Sequence, residues 1–211
     1  MRHDRDEFDD IDEADEEAKR LLAESESQEE SEARSIADIL MQGGVGVIPT
    51  DTLYGLVGSA LIPEAVDRIY DLKHRDSKKP LIVLISDLVQ LEQFGIELSQ
   101  GLLVQLGAYW PGPYTIILPT LDDQFEYLSR GTDTIAFRLP SNEELCALIS
   151  EVGPLVAPSA NTEGVPPATT VEQAQKYFGT DVEFYIDGGE LDNKASTILR
   201  LDGDAVEVIR G

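Results

Sequence analysis

At 211 residues, with 42% hydrophobic side chains, the chain is long enough for one well-cored domain and too short for two ordinary ones and a linker. Its net charge of -25 argues against general nucleic-acid binding, whose affinity comes from many Lys and Arg contacts to phosphate, and no apolar run reaches the roughly 18 residues that span a bilayer. The single cysteine, Cys146, rules out an intrachain disulfide, and Met1-Arg2-His3-Asp4 lacks the apolar core of a secretory signal, so a cytoplasmic location is the expected default.

Residues 1–34 hold fifteen Asp or Glu and five Lys or Arg, with Phe8, Ile11, Ala14, Ala18, Leu21 and Leu22 near helical spacing. That charge density predicts a mobile or marginally helical acidic segment ahead of a domain over 35–211. Ser35 to Met41 reads as a helix stopped by Gly43-Gly44, and Val45 to Ile48 as a buried strand ending at Pro49. A turn rich in hydroxyls follows. Pro63 to Leu72 predicts a helix with proline in its first turn and Ala65, Val66, Ile69 and Leu72 on one face. Leu81 to Ile85 is a continuous apolar run, the pattern of a strand buried on both faces. Helical stretches near 87–94 and 99–108 lead to the rigid break Trp110-Pro111-Gly112-Pro113. Strands at Tyr114 to Leu118 and Thr134 to Arg138 are followed by a helix from Asn142 to Ser150 and a strand at Leu155 to Ala157. A helix near 170–178 and short strands at 184–187, 196–200 and 205–209 finish the chain. Strands outnumber those of a regular βαβ alternation, which predicts an α/β fold with a twisted mixed β-sheet and flanking helices.

Three segments have the composition of a ligand site. Arg68, Lys73, Arg75, Lys78 and Lys79 gather five of the eleven Lys and Arg residues that follow position 34. Crowded cations in an acidic protein need an anion to hold, and phosphate or carboxylate is the expected one. The turn Pro49-Thr50-Asp51-Thr52-Leu53-Tyr54-Gly55 leaves a buried strand with hydroxyls and a carboxylate, and strand ends are where α/β sheets bind ligands. Ala157-Pro158-Ser159-Ala160-Asn161 also follows a strand, and Ser159 and Asn161, two apart, face the same side of extended backbone. No GxxxxGK[ST] or GxGxxG follows any strand, so a nucleotide would be held without a Walker or Rossmann loop. His3 and His74 are far apart and no His/Cys set has zinc spacing. Magnesium would arrive with a nucleotide, held mainly by phosphate oxygens and water.

The succession PTDTLYG (49–55), KHRDSKKPL (73–81), WPGPYT (110–115), TIAFRLP (134–140), APSANTEG (157–164) and STI (196–198) resembles the YrdC/TsaC family of L-threonylcarbamoyladenylate synthases. The resemblance covers residues 35–211. It implies an open twisted sheet with a concave, positively lined cavity, and an enzyme of the nucleotidyltransferase class. Such an enzyme joins L-threonine, bicarbonate and ATP, with Mg2+, into threonylcarbamoyl-AMP and pyrophosphate; a downstream threonylcarbamoyl transferase complex uses the product to modify a tRNA adenosine. Carried over by motif, Lys73 and Arg75 form the KxR pair and Ser159 and Asn161 the SxN pair of the catalytic site. The same resemblance implies ATP contacts at Arg75, Lys79, Thr134, Asn161, Thr169 and Arg210, and L-threonine contacts at Thr52, Arg138, Ser159 and Ser196. Arg68 then reads as a helix-face residue and Lys78 as a solvent charge.

One departure concerns Leu84, where longer members often have a histidine beside the threonine pocket. The main alternative reading is a YrdC-like paralogue that binds RNA or a ribonucleotide without making the adenylate. The acidity disfavours its RNA form, and neither stable nucleic-acid binding nor membrane association is expected. Carbamoyl transfer for metal-enzyme maturation uses this fold inside much larger proteins and ranks last.

Overall fold

The computed structural model describes residues 36–211 except 121, 203 and 204, so the expectations for residues 1–34 lie outside the described residues. The chain divides into units Met1–Asp38 and Ile39–Gly211, and the second carries the sheet. Its elements begin with helix α1 at residues 36–41, then β1 (Gly46–Ile48), β2 (Gly55–Ser59), α2 (Pro63–Lys73) and β3 (Ile82–Leu84). A 3-10 helix (Leu88–Phe94), α3 (Gln100–Gly107), β4 (Tyr114–Pro119), α4 (Glu126–Ser129) and β5 (Thr134–Arg138) follow. The chain closes with α5 (Glu143–Val152), β6 (Leu155–Val156), α6 (Val171–Phe178), β7 (Phe184–Tyr185), β8 (Thr197–Asp202) and β9 (Ala205–Arg210).

Local chemistry sets most helix starts. The side chains of Ser99, Asn142 and Thr170 accept the N–H of Leu102, Leu145 and Gln173, capping α3, α5 and α6. Proline occupies the first turn of α2. Two expectations change. The stretch at 87–94 is a 3-10 helix: Asp87 caps it, and the Gln90 side chain turns back to accept the Ser86 N–H at 2.8 Å. Residues 55–59 form a strand although Gly55, Gly58 and Ser59 give no β-branched alternation. Pairing with β1 and β6 imposes the extended conformation there, and the bare Gly58 lets Ile69 of α2 approach closely.

The nine strands make one mixed sheet in the order β7-β1-β2-β6-β3-β5-β4-β8-β9. Partners in register point to the same side and successive residues alternate, so the pairings sort the sheet into two faces. Val47, Leu56, Val83, Phe137, Val156 and Ile116 share one face and belong to the main apolar core, with Val66 and Ile69 of α2 in the same cluster. The opposite face holds Gly55, Ser159, Ile82, Arg138 and Thr115. Core formation thus consumes one side and leaves the other for chemistry.

At the β1–β7 edge, a Cβ added to Gly46 would lie 2.3 Å from the Phe184 ring. Gly46→Ala is expected to destabilise the protein by about 1–3 kcal/mol through overpacking, read as a lower denaturant midpoint with an unchanged slope.

Candidate active site

The β2–β6 ladder continues past β6 into the segment that carries Ser159. Leu56 N–H donates to Pro158 O at 2.9 Å, Ala160 N–H donates to Tyr54 O at 2.7 Å, and Gly55 bridges Ser159. Ser159 is therefore positioned by sheet pairing, on the face opposite the main core. Over this face lies an open cavity of about 210 Å³. Thr50 and Thr52 of the β1–β2 turn, Arg75, Arg138, Ser159, Ser196 and Arg210 supply its polar wall.

Lys73, the last residue of α2, is 2% exposed. Its ammonium donates to the carbonyls of Ser159 (2.5 Å) and Asn161 (2.6 Å) and lies 3.4 Å from Asn161 Oδ1. Ser159 Oγ donates to that same Oδ1 at 2.6 Å, and the Asn161 amide donates to the carbonyls of Thr162 and Val165. One buried cation thus clamps the SxN loop from behind. Burial, reinforced by the Arg75 charge and opposed by Glu163, pulls the Lys73 pKa down to about 8.

His74 closes α2 in the left-handed region, at φ 49°, a conformation that histidine tolerates better than most residues. That turn separates Lys73, aimed into the protein, from Arg75, which reaches the cavity. Arg75 donates Nε to Lys79 O and Nη2 to Pro80 O, both at 3.2 Å. Arg210 donates to Ser196 O at 2.9 Å. Among the described residues neither guanidinium has a carboxylate partner. Burial first, and then the Arg75 charge, lower the pKa of Arg210. Cations that repel one another across a partly dry cavity constitute a site for a polyanion.

Arg138, 4% exposed, is built differently. Its Nη1 donates to Thr52 Oγ1 at 2.8 Å and its Nη2 to Asp51 Oδ1 at 2.5 Å. Burial lowers its pKa and Asp51 opposes the shift. Beside it in register lies Leu84, 1% exposed, so at the position where longer relatives carry histidine this chain presents an apolar wall. Ser196 shares a 2.8 Å hydrogen bond with Thr115, and both are buried.

A family model named Sua5/YciO/YrdC and described as telomere recombination matches residues 38–211. The chain belongs to the Sua5/YciO/YrdC family. It is similar to the threonylcarbamoyl-AMP synthase of Pyrococcus abyssi, 36% identical over 163 residues that cover 77% of this chain and 48% of that protein. It is also similar to the synthase of Bacillus subtilis, 35% identical over 177 residues covering 82% and 51%. The chain spans about half the length of these two curated relatives. Among solved structures, P. abyssi Sua5 complexed with L-threonine matches with a TM-score of 0.78 at 34% identity, over 84% of this chain and 53% of that one. The mixed α/β architecture expected from the sequence is the Sua5 architecture.

Within this Sua5-type domain, the fold brings Thr52, Arg75, Arg138, Ser159, Ser196 and Arg210 to the cavity wall and sets Lys73 and Asn161 immediately behind it. Three other predicted contacts stand off that wall. Lys79 is ion-paired with Glu163, whose carboxylate also accepts the Asp76 N–H. Thr134 shares the face of Arg138 but sits at the other end of β5, hydrogen-bonded to Thr132. Thr169 bonds Gln173 at the start of α6. Arg68 pairs with Glu183 and donates to Asp181 O, tying α2 to the segment before β7, while Lys78 is exposed. Sequence reasoning passed over Tyr54, whose hydroxyl donates to Gly189 O at 2.7 Å and accepts the Gly188 N–H at 2.8 Å. That anchor fixes the course of residues 188–196 beside the cavity; the aromatic in the turn motif was its only signal.

Proposed function

We propose that this chain is an L-threonylcarbamoyladenylate synthase, a nucleotidyltransferase that forms threonylcarbamoyl-AMP and pyrophosphate from L-threonine, bicarbonate and ATP. The observation that carries the reading is the division of charge in one cavity. Arg75 and Arg210 offer uncompensated positive charge, whereas Arg138 is a buried, acid-paired guanidinium ringed by hydroxyls. The first pair suits a triphosphate. The second group suits an amino-acid carboxylate, for which a guanidinium with neighbouring hydroxyls is the apt partner.

The reaction asks little covalent chemistry of the protein. The amine of threonine attacks bicarbonate to give a carbamate and water; a carbamate oxygen then attacks the α-phosphorus of ATP, and pyrophosphate leaves. Negative charge accumulates on the phosphoryl oxygens in the transition state, and fixed cations and donors lower that barrier. Arg75 and Arg210 supply the charge, with Lys73 adding its field from behind Ser159. The cavity wall shelters the carbamate from water. Among the described residues no three His, Cys, Asp or Glu side chains converge as a metal site, so Mg2+ enters as part of the ATP complex, on phosphate oxygens and water. The product would pass to a threonylcarbamoyl transferase complex in the cytoplasm.

The test is incubation of the chain with ATP, Mg2+, bicarbonate and L-threonine. Threonine-dependent pyrophosphate and a mass for threonylcarbamoyl-AMP are expected. Release of pyrophosphate at the same rate without threonine, or no release at all, defeats the reading.

A further inference from the structure

We infer that Asp51 is a positioning residue that reserves Arg138 for a single carboxylate and keeps phosphate away from it. The inference rests on the reading of Arg138 as the holder of threonine's carboxylate.

Asp51 sits between two hydroxyl residues that face the cavity, Thr50 and Thr52, but is itself turned away from the cavity wall. Its Oδ1 accepts from Arg138 Nη2, in a pair whose side chains are 5% and 11% exposed. Its Oδ2 accepts, at 3.3 Å each, from the N–H and the hydroxyl of Ser141, just ahead of α5. Thr52, the next residue, accepts from Arg138 Nη1. Two consecutive residues of the β1–β2 turn therefore fix two nitrogens of a guanidinium on β5, joining elements that do not pair in the sheet. The third nitrogen, Nε, is buried with no protein partner, so the donors of Arg138 are not exhausted by the fold.

Charge balance gives this pairing a second consequence. Arg75 and Arg210 lack carboxylate partners among the described residues, while Arg138 is neutralised by Asp51. A triphosphate gains most where positive charge is uncompensated. An acid-paired guanidinium attracts a polyanion poorly, because Asp51 repels the extra charge, yet still offers oriented donors to one carboxylate. Asp51 thereby sorts the two anionic substrates to their own ends of the cavity.

Calorimetric titration of Asp51→Ala, Asp51→Asn and Arg138→Ala with L-threonine, ATP and inorganic tripolyphosphate tests the assignment. Asp51→Ala is expected to weaken threonine binding on the order of tenfold or more, the loss of a charge-assisted hydrogen bond, with ATP affinity within about twofold of wild type. Asp51→Asn keeps an acceptor for Nη2 but removes the charge, so tripolyphosphate is expected to compete with threonine in this variant and not in the wild type. Should Asp51→Ala fail to fold, that competition in Asp51→Asn decides. Unchanged threonine affinity in Asp51→Ala, or no competition in Asp51→Asn, overturns the inference while Arg138→Ala still loses threonine. Unchanged threonine binding in Arg138→Ala would instead overturn the reading of Arg138 itself.

Discussion

Replacing Arg75 with alanine is expected to lower threonine-dependent pyrophosphate release by about 10²–10³-fold, the usual cost of removing one fixed donor to transition-state charge. The fold should tolerate the change. Arg75 donates only to the Lys79 and Pro80 carbonyls of its own loop, at 3.2 Å, and makes no ion pair among the described residues. Removing it also relieves repulsion, since its charge works against the protonated forms of both Lys73 and Arg210. The thermal midpoint should therefore hold or rise slightly while turnover collapses. Arg75→Lys keeps a charge but loses the planar fork, and is expected to recover only part of the rate. Steady-state kinetics and thermal melts on the two variants separate the outcomes. A loss of turnover in proportion to a loss of stability would show that Arg75 acts through the fold.

How far these groups were legible in the chain depends on which kind of order placed them. Lys73, Arg75, Ser159 and Asn161 stood out because local spacing sets their geometry: a helix end with a left-handed turn in one case, extended backbone in the other. Arg210 is a contrary case. Counting by twos along β9 puts Val206, Val208 and Arg210 on one side, yet Leu199 pairs Val208 while the adjacent Ile198 pairs Arg210. One extra residue in β9 makes a β-bulge, and it turns Arg210 to the face of Thr115 and Ser159 while Val208 stays on the other. Simple strand periodicity carries no mark of a bulge; only the family motif pointed to this residue. Asp51 was visible as a carboxylate in a turn, but its partner lies 87 positions away, and no local pattern encodes that pairing. Strand β2 was missed for the same reason. Its small residues have weak strand preference, and distant partners on both sides decide the conformation.

Lys73→Met is expected to remove most activity, on the order of tenfold to a hundredfold, with a much smaller change in stability at neutral pH. Two large terms oppose each other. Methionine leaves the Ser159 and Asn161 carbonyls without the ammonium that they now accept from, at about 1–3 kcal/mol for each orphaned acceptor. It also removes a cation whose burial is itself unfavourable, as the lowered pKa records. The sign of the pH dependence follows from the same shift. With the folded pKa at about 8 and the ordinary value at 10.5, the unfolded chain holds the proton more tightly between those limits. The penalty for burying the charge is fully present below about pH 8 and is relieved as pH rises toward the ordinary lysine value. Wild-type stability should thus gain up to about 3 kcal/mol over that window relative to Lys73→Met. ATP affinity should move the other way: as Lys73 loses its proton near pH 8, the positive field behind Ser159 falls and binding weakens, by about tenfold, while Lys73→Met, already uncharged there, stays flat. Denaturant melts and ATP titrations of both proteins from about pH 7 to about pH 10 make the comparison. Parallel profiles for wild type and Lys73→Met would remove Lys73 from the electrostatics of the site and leave it a purely structural clamp on the SxN loop.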